Sequence, residues 1–147
     1  MTGQEEFEAL AARLVRAAGL YEPGRLTAAG VSASEGSALA ELATGPGLSQ
    51  QDLADRLGLE KSTISRLVTG LERKGWITRE RDPDNRRYYR LQLTRTGKTT
   101  ARKVRTAWHE RHQRILTALT PTEREALGVV LAGLIRVFEA EHRSPDR

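Results

Sequence analysis

Ser62, Thr63, Ser65 and Arg66 set short hydroxyls beside a planar cation. Such groups donate hydrogen bonds to phosphate oxygens and to the edges of bases. Further along, Asp84, Arg86 and Arg87 fall in or beside Pro83-Asp84-Asn85, a run with strong turn chemistry. An arginine carried on a turn reaches further than one on a helix face. The chemistry these residues offer is non-covalent recognition of a polyanion.

Other chemistries are poorly supplied. Gly97-Lys98-Thr99 ends like a phosphate-binding loop, but that motif needs a glycine five positions before Gly97, where Gln92 stands. His109-Glu110-Arg111-His112 is one residue short of the zinc-protease pattern His-Glu-x-x-His. A metal there needs another converging ligand, and two solvated histidines on a polar helix face are the plainer reading. With 3 histidines and no cysteine, no nucleophile and base stand in an evident pair, and disulfides and cysteine-held metals are excluded. The expectation is a chain with no catalytic residues, no metal and no cofactor. Trp108 could line a ligand cleft, but its place in an apolar stripe favours a core or subunit-interface role.

Several elements must position the recognition residues. Ile64, Leu67, Val68 and Leu71 recur at i, i+3, i+4 and i+7, so they form the buried face of a helix over residues 61–74. Ser62, Thr63, Ser65, Arg66 and Thr69 then face outward. Gly70, inside that helix, costs about 1 kcal/mol against alanine. Before it, Ser49-Gln50-Gln51-Asp52 resembles a capped helix start, Leu53, Ala54 and Leu57 supply a buried face, and Gly58 supplies a left-handed stop. After it, Trp76 to Arg79 and Tyr89-Arg90-Leu91-Gln92-Leu93 read as two strands around the turn, with Tyr89, Leu91 and Leu93 on one apolar face. The pattern is helix, tight turn, helix, basic hairpin.

Flanking helices complete the plan. Phe7, Leu10, Leu14 and Ala17 share one face of a helix over residues 5–18. Residues 19–31, with Pro23 and three glycines, read as a connector. Ser32 and Glu35 form a capping box for a helix reaching about Ala43, which residues 44–47, including Pro46, break. Thr94 caps a long helix to about Leu119, with Ala101, Val104, Trp108, Ile115 and Leu119 as its stripe. Thr120-Pro121-Thr122-Glu123 opens a last helix carrying Leu127, Val130, Leu131, Leu134, Ile135 and Phe138, and residues 142–147 are expected to fray. These outer stripes have little left in a monomer to cover, which points to a twofold partner.

Composition agrees. At 147 residues, with 38% hydrophobic and 29% charged, the chain suits one domain with an oligomerisation extension. No apolar run is long enough to span a bilayer. Residues 1–8 are polar and acidic, unlike a secretory signal, and the absence of cysteine fits a cytoplasmic location. The net charge of +5 is unevenly spread: residues 49–105 hold 15 Lys and Arg against 7 Asp and Glu, while the remainder holds 9 against 12. A basic middle between mildly acidic ends is the footprint of a polyanion-binding module, and charge alone fits a solvated basic face equally well.

From Ser34 to about Phe138 the chain resembles the MarR family (multiple antibiotic resistance regulators). The resemblance is densest from Leu48 to Leu59, from Ser62 to Val68 and from Leu71 to Ile77. It continues through Arg81-Asp82-Pro83-Asp84-Asn85-Arg86-Arg87 and Leu91-Gln92-Leu93-Thr94-x-x-Gly97. It implies a mainly α chain with a small β-hairpin wing (α+β). A winged helix-turn-helix core would cover residues 32–94, and helical dimerisation regions residues 1–20 and 95–143.

It further implies a cytoplasmic, homodimeric regulator of transcription that binds double-stranded DNA and no membrane, and that represses, or occasionally activates, at a pseudo-palindromic operator under the control of a small aromatic or phenolic effector. Ser49, Gln50, Lys61, Ser62, Thr63, Ser65, Arg66, Asp84, Arg86 and Arg87 match DNA-contacting positions. Arg86 would enter the minor groove, with Asp84 orienting it. Phe7, Leu10, Leu14, Leu127, Leu131, Leu134 and Phe138 match the dimerisation region. Glu60 departs from the family, which usually has a capping serine there. A competing reading, a dimeric interaction protein with this fold and no specific DNA binding, is opposed by the intact basic face.

Overall fold

The computed structural model describes residues 2–19, 30–45 and 47–142. The connector expected over residues 20–29, Pro46 and the end beyond residue 142 lie outside them. Six helices and three strands follow in order: α1 (Gly3–Ala17), α2 (Ala33–Leu42), β1 (Leu48–Ser49), α3 (Gln50–Leu57), α4 (Lys61–Arg73), β2 (Ile77–Arg81), β3 (Tyr89–Leu93), α5 (Arg95–Ala118) and α6 (Pro121–His142). The chain forms two compact units, Met1–Ala107 and Trp108–Arg147, divided within α5.

In the first unit the helix starts are set by local chemistry. Thr2, Ser32 and Ser49 each accept the amide three residues on, and Glu5, Glu35 and Asp52 reach back to the cap amide. Each box satisfies donors that a helix N-terminus otherwise leaves open. Gly58 ends α3 at φ 62°, the left-handed stop that glycine adopts without strain. The core joins α2, α3, α4 and the sheet: Leu39, Leu53, Ile64, Val68, Leu71 and Leu91 are fully buried, and Ile77 nearly so. Ala101 and Val104, in the first half of α5, are buried as well.

The sheet has order β1-β3-β2 and is antiparallel throughout. Arg90, the second residue of β3, stands opposite Ser49 of β1 on one side and Glu80 of β2 on the other. The third strand was not expected from the sequence. It forms because Gly47 lets the chain approach β3 closely: a Cβ there would lie 2.9 Å from the Leu91 carbonyl oxygen. Tyr89, expected on the apolar face, is largely exposed at the end of its strand.

The junction into α5 is tightly made. Thr94 Oγ1 donates to the Gly75 carbonyl at 2.6 Å and accepts from Gly97 N at 2.9 Å, while Thr94 N donates to Trp76 O at 3.0 Å. In the second unit, Thr120 and Glu123 cap α6 reciprocally. Val129, Val130, Leu131, Ile135, Val137 and Phe138 of α6 are exposed, and Leu127 and Leu134 partly so. On α1, Phe7, Leu10 and Leu14 are each more than half exposed.

Candidate nucleic-acid interface

The α3–α4 pair supplies one side of the site. Ser49 N and Oγ both donate to Asp52 Oδ2, at 3.1 and 2.7 Å, and Asp52 N donates back to Ser49 Oγ at 3.0 Å. These bonds from Ser49 hold the Asp52 carboxyl below its ordinary value. Gln50 follows as the first residue of α3. On α4, burial of Ile64, Val68 and Leu71 leaves Lys61, Ser62, Thr63, Ser65, Arg66 and Thr69 exposed, as the spacing predicts. Glu60 occupies the N-cap position and makes no side-chain cap bond, so the first amides of α4 stay open at the surface.

The wing, residues 82–88, supplies the other side. Asp82 Oδ1 accepts from the amides of Asp84 (2.8 Å) and Asn85 (3.2 Å), and Arg90 Nε donates to Asp82 Oδ2 at 2.6 Å. The bond from Arg90 is the chief cause lowering the Asp82 carboxyl, and the same bond raises the Arg90 guanidinium. Asn85 Oδ1 accepts from Arg87 N at 3.3 Å, and Asp82 N donates to Tyr88 O at 2.9 Å. Arg81 Nη1 donates to the Arg86 carbonyl at 3.3 Å, with its guanidinium 5.4 Å over the Tyr89 ring. Arg86 and Arg87 project from this braced loop, both exposed.

The sequence reading gives the orienting role in the wing to Asp84. In the structure the bracing carboxylate is Asp82, and no hydrogen bond or ion pair joins Asp84 to Arg86 among the described residues. The physical reason is reach: an aspartate at the first position of a turn can accept the amides two and three residues on. Asp82, Arg90 and Arg81 were all missed. The Asp-Pro-Asp-Asn run held the signal for the first.

Ion pairing separates the cations into two sets. Arg56 meets Glu41 at 3.2 Å, Lys74 meets Glu35 at 2.7 Å, Arg79 meets Glu72 at 2.9 Å and Arg90 meets Asp82 at 2.6 Å. The first joins α3 to α2 and the third β2 to α4, while Lys74 ties the end of α4 to α2 and Arg90 ties β3 to the wing. Lys74 also lies 4.8 Å over the Trp76 ring. Burial pushes the Glu35 carboxyl up, but the hydrogen bonds from Lys74 and Ser32 outweigh it and leave the group lowered. Among the described residues 49–94, Lys61, Arg66, Arg73, Arg81, Arg86 and Arg87 have no acidic partner and are exposed. The cations left over are those on α4 and the wing tip, with Arg81 at the end of β2.

A capped helix-turn-helix with an open polar face, joined to a braced basic wing, defines a winged-helix DNA-binding regulator of transcription. Residues 29–87 match the family model described as MarR family. The chain is 31% identical over 119 residues to a protein of Thauera aromatica named as a transcriptional regulatory protein for the hcr operon, across 81% of this chain and 70% of that one. It is 31% identical over 84 residues to the transcriptional repressor MprA of Escherichia coli, across 57% of this chain and about half (48%) of MprA. Its fold matches the PcaV transcriptional regulator of Streptomyces coelicolor, solved with its natural ligand, at a TM-score of 0.73 and 30% identity, covering 90% of this chain and 91% of that one. The chain belongs to the MarR family. No described helix is long and apolar enough to cross a membrane.

Proposed function

We propose that this chain is a cytoplasmic homodimeric repressor that binds a pseudo-palindromic DNA operator and releases it when a small aromatic or phenolic effector binds. The carrying observation is the sorting of cations, which leaves Lys61, Arg66, Arg86 and Arg87 exposed and unpaired on the α4 face and wing tip. On this reading α4 enters the major groove, where Ser62, Thr63, Ser65 and Arg66 meet base edges and phosphates. Ser49, Gln50 and Lys61 meet the backbone, and Arg86 and Arg87 reach the neighbouring minor groove.

Two copies place two α4 helices about 34 Å apart, one turn of DNA. The exposed apolar faces of α1 (Phe7, Leu10, Leu14) and α6 (Leu131, Ile135, Phe138) support pairing of copies. The repressor assignment draws on MprA's name, and the effector on PcaV's bound ligand. An effector acts here by favouring a dimer whose recognition helices no longer match the groove spacing. No reaction is assigned to the chain.

The test is operator selection from random duplexes, followed by salt-titrated binding. The expected result is an enriched pseudo-palindrome bound at least about 1000-fold more tightly than random DNA. Arg86→Ala should weaken binding and reduce the slope of log affinity against log salt by about 1. Equal, weak affinity for selected and random DNA would overturn the reading and favour an interaction protein that kept the fold.

A further inference from the structure

We infer that Asp82 and Arg90 are the positioning pair of the wing, tying the tip that carries Arg86 and Arg87 to the strand that also anchors the start of α3. The inference rests on the reading of the wing as a DNA contact and adds the residues that make the contact possible. Asp82 uses both carboxylate oxygens. Oδ1 gathers the amides of Asp84 and Asn85, which fixes the turn, and Oδ2 takes Arg90 Nε at 2.6 Å, which fixes the turn to the sheet.

Arg90 lies in the central strand. Its register partner in β1 is Ser49, the N-cap of α3 and a proposed backbone contact. Asp52, which holds the Ser49 cap, also interacts electrostatically with Arg90. One side chain therefore stands between the two parts of the site, eight residues from Asp82 along the chain and adjacent to it in space.

The pair does not serve the core. Asp82, in the wing, and Arg90, in β3, are part-buried (side chains 15% and 37% exposed) and outside the apolar interior, whereas Leu91, the next residue of β3, is fully buried. Nor does it add a DNA-facing charge, since the two neutralise each other. What it removes is freedom in residues 82–88. A loop that must be ordered when DNA binds loses about tenfold in affinity for each residue fixed. A loop already held by Asp82 presents Arg86 at no such loss.

The experiment is a double-mutant cycle on operator DNA with Asp82→Asn and Arg86→Ala/Arg87→Ala, combined with hydroxyl-radical footprinting. Asp82→Asn should weaken binding about tenfold alone and less than about twofold in the arginine-free background, because its effect passes through those arginines. Minor-groove protection under the wing should fade while major-groove protection under α4 remains. Arg90→Gln should reproduce both results, and it decides the matter if Asp82→Asn does not fold. Full additivity, or even loss of protection across the whole footprint, would overturn the pairing's positioning role. If removing the two arginines leaves affinity unchanged, the reading of the wing itself fails instead.

Discussion

A Cβ at Gly97 would lie 1.8 Å from the carbonyl oxygen of Trp76, so residue 97 is a glycine because backbone already occupies the space. Thr94 caps the same turn and holds Gly75 and Trp76 at the base of the hairpin. The Leu-Thr-x-x-Gly run is thus a joint between the hairpin and α5.

Gly97→Ala should therefore destabilise the chain by more than about 2 kcal/mol through overpacking against rigid backbone. Gly70→Ala should do the reverse. A Cβ there meets nothing within 4 Å, so the helix gains about 0.8–1 kcal/mol. Urea unfolding of the two variants checks both signs. A destabilised Gly70→Ala would mean that the glycine relieves a strain that packing does not reveal.

Capping gives a second opposed pair. Ser49→Ala removes the acceptor for Asp52 N and should cost about 1 kcal/mol. Glu60→Ser places a cap on α4 at a backbone already extended (φ −69°, ψ 158°) and should add about 0.5–1 kcal/mol. Thermal melts at one pH suffice. No gain from Glu60→Ser would indicate that the Glu60 charge at the helix dipole is worth as much as a hydroxyl cap.

Assembly is tested on the second unit. Leu131→Asp puts a charge into an exposed apolar face of α6. Sedimentation velocity should show a dimer for the parent chain and a monomer for the variant, with operator affinity falling at least about 100-fold as the second half-site is lost. A dimer that survives this change would place the interface elsewhere.

Acid should loosen the DNA-binding unit at identifiable joints. Glu35, Asp52 and Asp82 have folded values below their ordinary 4.5, 3.8 and 3.8. Groups so lowered contribute stability that is complete above the ordinary value and disappears as pH falls through the folded one. Stability should accordingly be flat down to about pH 5 and fall below about pH 4. Glu35→Gln should blunt that fall, and an unchanged acid limb would show that the Lys74 pair is not what titrates.

What could be read from the sequence was whatever lay within one turn of chain. Ser32 with Glu35, Ser49 with Asp52 and Thr120 with Glu123 are pairs three residues apart, and each is found as expected. Thr2 with Glu5 has the same form and was passed over, because the apolar repeat of α1 begins later. The outward face of α4 followed from its period. Strand β1 did not, since two residues carry no period and the strand depends on Gly47 meeting Leu91. Asp82 was missed for a similar reason: its partner Arg90 arrives only when the hairpin closes.

If α4 and the wing meet DNA as proposed, four carboxylates held against four cations also shape how the chain moves along DNA that is not its target. A cation already satisfied by Glu35, Glu41, Glu72 or Asp82 has little to gain from a passing phosphate. The grip on arbitrary duplex is then weaker than the count of basic residues suggests. Stops at wrong sequences become brief, and sliding between them quick. In this sense the protein's own acids act as a timer on mistaken encounters, while α4 and the wing decide the lasting one.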